Sequence, residues 1–165
     1  SASAARGIRP FISMCLIRFI PLRQRAPSGD PTRGRVPVVT KGREGPIRLY
    51  RLPESAAPGS VATFEPVTEV APRPTTTADY VTAATASPDG RWIALRTYRS
   101  LLLYEAAPLL DGRPGEPLRF DLRPLAESQG EGLALGDGGE AWLTSEAGGG
   151  SPPRWNRVIC ELPGS

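Results

Sequence analysis

Ser87-Pro88-Asp89-Gly90-Arg91-Trp92-Ile93-Ala94-Leu95-Arg96-Thr97 has the pattern of a glycine turn feeding a β-strand. Asp89-Gly90 supplies the positive-φ position of a tight hairpin turn, and Pro88 presets the backbone leading into it. The run from Trp92 to Leu95 is apolar and rich in strand-forming side chains. Upstream, Tyr80-Val81-Thr82-Ala83-Ala84-Thr85-Ala86 reads as a strand of small and β-branched residues. Downstream, Leu101-Leu102-Leu103-Tyr104 reads as another. Strands joined by so short a turn must pair antiparallel.

The same order of turn and strand occurs twice more. Pro31-Thr32-Arg33-Gly34-Arg35 precedes Val36-Pro37-Val38-Val39-Thr40, and Gly136-Asp137-Gly138-Gly139-Glu140 precedes Ala141-Trp142-Leu143-Thr144-Ser145. Strands are expected after these runs, at Ile47 to Leu52 and Arg157 to Leu162, and before the third turn at Gly132 to Leu135. Fainter outer strands fall at Val61 to Val67 and Leu118 to Leu122, and a turn or two of helix at Glu105 to Leu110. Between Gly34 and Gly90 lie 56 positions, and between Gly90 and Gly139 lie 49. A recurrence near ~40–50 residues is what four-stranded propeller blades produce. The competing reading is a small sandwich of unrelated antiparallel hairpins.

Composition agrees with many short elements. Gly and Pro total 37 of 165 residues, an excess that interrupts helices and marks turns. No stretch approaches the ~20 apolar residues of a spanning helix, so no membrane span is expected.

Ser87-Pro88-Asp89-Gly90-Arg91-Trp92-Ile93-Ala94-Leu95 resembles the repeat signature of TolB-like and related WD-type bacterial β-propellers. The likeness extends over residues 31–163, with Val38-Val39-Thr40-Lys41-Gly42 and Gln129-Gly130-Glu131-Gly132 in place. It implies an all-β fold of antiparallel four-stranded blades, an incomplete β-propeller of about three repeats, and a cell-envelope or secreted setting. It implies no particular function, because the fold hosts binding modules, scaffolds and several enzyme classes. Three blades leave an inter-blade face and strand edges open, so the chain is expected to be a fragment of a longer one or to complete a ring with other copies.

Residues 1–30 read differently. Residues 1–29 hold five arginines and no acid, and the apolar run from Phe11 to Ile17 is cut short by Arg18. This segment is expected to be irregular and basic, foreign to the domain or disordered, without an inner strand for the first blade. Residues 1–52 carry eleven basic side chains against two acids, whereas the rest carry nine against fifteen. A basic arm would suit nucleic acid, but few aromatic platforms and no nucleic-acid motif accompany it, so nucleic acid is disfavoured as a partner. Cys15 and Cys160 lie near opposite ends and read either as a disulfide or as two separate thiols.

The chain contains no histidine. That removes Ser-His-Asp and Cys-His nucleophiles, His-ligated metals and the usual general base near neutral pH. No catalytic residue, metal ligand set or cofactor site is therefore assigned. Gly148-Gly149-Gly150-Ser151 lacks the Lys-Thr/Ser of a phosphate loop and reads as a hairpin tip. On a propeller, functional groups collect at one mouth of the central channel. The repeats place Lys41, Arg96, Glu131 and Glu146 there, a set suited to a small anionic ligand, a partner protein or an ion-pair network. A non-enzymatic binding segment is the leading expectation. The alternative is a metal-dependent hydrolase fragment, phytase-like or esterase-like, which requires Glu131, Glu140 and Glu146 to converge.

Overall fold

The computed structural model describes residues 14–16, 37–57 and 59–163. Among the described residues, eleven strands form three antiparallel sheets. Sheet A contains β1 (Met14–Leu16), β2 (Pro37–Thr40), β3 (Ile47–Arg51) and β4 (Glu65–Ala71) in that order. Sheet B contains β5 (Val81–Ala86), β6 (Trp92–Thr97), β7 (Ser100–Glu105) and β8 (Leu118–Asp121). Sheet C has three strands, β9 (Gln129–Leu135), β10 (Glu140–Glu146) and β11 (Trp155–Ile159). Each sheet is thus one continuous meander, not hairpins gathered from distant parts of the chain. The all-β antiparallel class stands as expected. Among the described residues the sheets do not close into a barrel or ring.

The Ser87–Trp92 turn shows why the meander forms locally. Ser87 and Trp92 close the hairpin through the Ser87 amide and the Trp92 carbonyl at 2.9 Å, and the Trp92 amide donates to Ser87 Oγ at 2.9 Å. Asp89 Oδ1 accepts from the Arg91 amide at 3.0 Å. Gly90 sits at φ 71°, where a side chain would be strained. The turn at residues 31–35 lies outside the described residues.

Every residue of β6 is buried. Alternation along the strand explains this: Ile93 and Leu95 join a core with Val39, Ile47 and Leu49 of sheet A. Trp92 and Ala94 point the opposite way, into a second core with Leu135, Ala141 and Leu143 of sheet C. Sheet B is therefore the middle layer, with both faces covered. Each fully buried Leu or Ile here contributes about 1.5–3 kcal/mol. The first strands also lie side by side, β1 against β5 and β5 against β9. The helix α1 (Ala106–Leu110) adds Leu109 and Leu110 to the first core, with Pro108 tolerated in its opening turn.

Three expectations are corrected. Sheet A does have a first strand, because Met14–Leu16 pairs with Val38–Thr40 from within the segment read as irregular. The outer strand of sheet A runs over Glu65–Ala71 and not from Val61, which is fully exposed. Val67, Val70 and Ala71 of this strand pack against the first core, and Arg51–Glu65 at 2.9 Å and Arg48–Glu69 at 3.6 Å pair across β3 and β4 on its exposed side. The last strand begins two residues early, at Trp155, because Thr144 pairs with Trp155 while Cys160 turns beneath the sheet as a free, buried thiol. The side chain of Cys15 is outside the described residues.

Candidate functional site

A hydroxyl stands at the end of the second strand of each sheet and pins the following strand. Thr40 Oγ1 accepts from the Arg48 amide at 2.9 Å, Thr97 Oγ1 from the Ser100 amide at 2.9 Å, and Ser145 Oγ from the Arg154 amide at 3.1 Å. These hydroxyls satisfy backbone donors at the start of the next strand, across a short turn after Thr97 and across longer loops after Thr40 and Ser145. Three side chains in corresponding positions of three successive sheets thus make the same kind of bond. A bulge also recurs at this level: Thr82 is extra between the Val81–Thr97 and Ala83–Arg96 pairs, and Glu131 between Gly130–Ser145 and Gly132–Thr144.

Around these turns a continuous polar strip crosses the ends of the sheets. The Val81 amide donates to the Lys41 carbonyl at 3.1 Å, tying the turn after β2 to the start of β5. Arg43 lies over the Tyr80 ring at 5.8 Å, a cation–π contact. Arg99 grips Asp79 with two hydrogen bonds, Nε donating at 2.6 Å. Tyr98 donates its hydroxyl to Glu131 Oε1 at 3.0 Å, linking sheets B and C. Burial pushes the Tyr98 phenol above its ordinary range; the Glu131 hydrogen bond and the charges of Glu131 and Glu146 act the same way, and Arg43 opposes them.

The four residues singled out from sequence take different positions. Lys41 and Glu131 are half-buried in this strip, and Glu146 is exposed at the end of β10. Arg96 is 0% exposed, on the face of β6 that meets sheet C. Its Nη1 donates to the carbonyls of Gly132 and Thr144, the latter at 2.9 Å, and its Nη2 pairs with Glu127, whose side chain is 2% exposed. Asn156 Nδ2 donates to the other Glu127 oxygen at 2.8 Å. Burial pulls the Arg96 guanidinium below its ordinary value, while the carboxylates of Glu127 and Glu131 draw it back. Its Nε is buried without a hydrogen-bond partner among the described residues. Arg96 is a clamp between sheets B and C, seated against the backbone of Gly130, where a Cβ would come within 2.0 Å of Nη2.

Two residues of this arrangement were not legible beforehand. Glu127 lies in the loop before β9 with nothing in its neighbours to mark it, and Tyr98 follows the aligned run by one position. The clamp itself had a signal: Trp92, Ala94 and Arg96 are two residues apart, so one face of β6 must carry all three.

Glu140 and Glu146 open and close β10, about 20 Å apart along a strand rising ~3.3 Å per residue. Glu140 is occupied by Arg157. Among the described residues no group of three or more His, Cys, Asp or Glu is placed to hold a metal ion. Nor is any described helix long and apolar enough to cross a membrane. Compared with protein families, curated proteins and solved structures, the chain matches none. The likeness to TolB-like and WD-type propellers therefore rests on the residues quoted for it alone.

Proposed function

We propose that this chain is a non-enzymatic binding or scaffolding module, built as consecutive blades of an incomplete β-propeller. It takes a small anionic ligand or a partner protein at the strip formed by Lys41, Arg43, Tyr98, Glu131 and Glu146. The observation that carries this reading is the recurrence, at the end of the second strand of all three sheets, of a hydroxyl that accepts from a backbone amide at the start of the next strand. Connections tied back to the sheets in this way place a row of charged and aromatic side chains along the strand ends, and preorganisation of that kind reduces the entropic cost of recognition. Blade character is supported by the three consecutive meanders and by the side-by-side first strands. The metal-dependent hydrolase alternative has less support, since Glu140 stands at the far end of β10 from Glu146.

The test is an amide-resolved nuclear magnetic resonance titration against a panel of small phosphates, carboxylates and acidic peptides. Saturable shifts concentrated at Lys41, Tyr80, Tyr98 and Glu131, lost in Tyr98→Ala, are expected. Shifts confined to other surfaces, or calcium-dependent hydrolysis of a chromogenic phosphate ester, would overturn the proposal.

A further inference from the structure

Along the sheets, arginines pair with carboxylates, as Arg48 does with Glu69, Arg99 with Asp79 and Arg157 with Glu140. Four charges of the polar strip do not. Lys41, Arg43, Glu131 and Glu146 form no ion pair among the described residues, with one another or with any other charge. Two tyrosines account for part of this. Tyr80 holds Arg43 over its ring at 5.8 Å, and Arg73 Nη2 donates to the Arg43 carbonyl at 3.1 Å, so the loop after β2 is tied through side chain and backbone. Tyr98 donates to Glu131 Oε1 at 3.0 Å and leaves Oε2 without a hydrogen bond among the described residues.

The backbone that presents Glu131 is closely held. Glu131 is the bulge residue of β9, between Gly130, which lies against Arg96, and Gly132, which lies against Thr144. Neither glycine has room for a Cβ, and a bulge at such a place re-aims its side chain. At the corresponding bulge of sheet B stands Thr82, a buried hydroxyl residue; sheet C puts a carboxylate in its place.

The strip is therefore polarised. Its cations stand on the loop after β2 and its acids on β9 and β10, with Tyr80 and Tyr98 from the ends of sheet B between them. The bond from the Val81 amide to the Lys41 carbonyl sets the cationic loop beside Tyr80. Arg43, Glu131 and Glu146 all act on the one Tyr98 phenol, so each stands within about one Debye length of it, ~8–10 Å, a span that a single small molecule covers. Lys41 and Glu131 are half-buried, and a charge partly removed from water without an ion-pair partner keeps a desolvation cost that a complementary ligand relieves. A ligand with only an anionic group satisfies Lys41 and Arg43 and leaves both acids unanswered.

We propose that the strip binds a small zwitterion, its carboxylate taken by Lys41 and Arg43, its ammonium group by Glu131 and Glu146, and its carbon chain lying across Tyr80 and Tyr98. This rests on the reading of the strip as a ligand site and names the class of ligand that the site takes. Anchoring both ends fixes the ligand's direction and selects for the distance between its charges.

The test titrates the full chain with ω-amino acids from glycine through γ-aminobutyrate to ε-aminocaproate, beside the unsubstituted carboxylate and amine of each chain length, followed by amide chemical shifts. One member of the series is expected to bind at least tenfold more tightly than its matched carboxylate and amine, with shifts at Lys41, Tyr98 and Glu131. Glu131→Gln combined with Glu146→Gln should remove that advantage and leave carboxylate binding unchanged. Lys41→Met combined with Arg43→Gln should weaken amino acid and carboxylate alike. Comparing ligands on the parent chain keeps the result independent of any effect of substitution on folding. If the carboxylate or the amine alone binds as tightly, the zwitterion inference falls and the strip stands as a site for a single charge. If no compound gives saturable shifts at the strip, the inference falls too, and the titration with phosphates and acidic peptides decides the strip by itself.

Discussion

Replacing Arg96 by Met removes a charge from the interior while keeping much of the side chain's volume. The loss leaves the Glu127 side chain, 2% exposed, with Asn156 as its remaining hydrogen-bond donor among the described residues. It also strips the Gly132 and Thr144 carbonyls of the guanidinium that bridges them. Breaking a buried ion pair from one side costs about 3–5 kcal/mol, because the partner charge stays buried and uncompensated. In a domain this size 1 kcal/mol moves Tm by about 2–4 °C, so a drop of roughly 6–20 °C is expected. Net stabilities of about 5–15 kcal/mol make such a loss survivable only in part. The double variant Arg96→Met with Glu127→Leu removes both charges and should recover at least half the loss, as buried pairs replaced by apolar groups often do. Urea unfolding of the four members of this cycle, followed by far-ultraviolet circular dichroism, measures the coupling. A single variant within 1 kcal/mol of the parent, or a double variant showing the simple sum of both losses, would refute the clamp.

Gly130→Ala attacks the same clamp from the backbone, and should cost about 1–3 kcal/mol in urea unfolding because its Cβ has no room beside Arg96. Burial raises the Cys160 thiol above its ordinary range, so in a Cys15→Ser background it should resist a thiol reagent at pH 8 and react fully in denaturant. Tyr98→Phe should lose about 0.5–1.5 kcal/mol with the Glu131 hydrogen bond, measured by urea unfolding at neutral pH. The Tyr98 phenol is raised in the folded state, so its contribution is present below the unfolded value near 10 and lost as pH climbs through the folded one. The stability gap between parent and Tyr98→Phe should accordingly narrow above pH 10.

Much of the framework was legible in short-range pattern. Asp89-Gly90 and Gly138-Gly139 marked hairpins that the backbone makes, with positive φ at Gly90, Gly138 and Gly139. Strands β3, β6, β7 and β8 lie within a residue or two of where their apolar runs place them. The candidate site was legible only in location. Thr40, Thr97 and Ser145 stood out as polar residues closing the runs, yet nothing in the chain says that their hydroxyls hold the next strand. Arg96 closes a run in the same way, and its charge fitted a ligand site or an ion-pair network equally well.

Glycine, proline and two-residue alternation act through the local backbone, so the sequence by itself determined the turns, the antiparallel meanders and the all-β class. Which faces of those meanders are covered depends on what stacks against them, and that is a property of distant segments. Only the tertiary structure made sheet B a middle layer, and only that layer places Arg96 among the carbonyls of β9 and β10. It also decided that β4 starts at Glu65, opposite Arg51, and that the short apolar run before Arg18 supplies β1 to sheet A. Such choices rest on contacts between residues far apart in the chain, whose free energy exists only once both partners are in place.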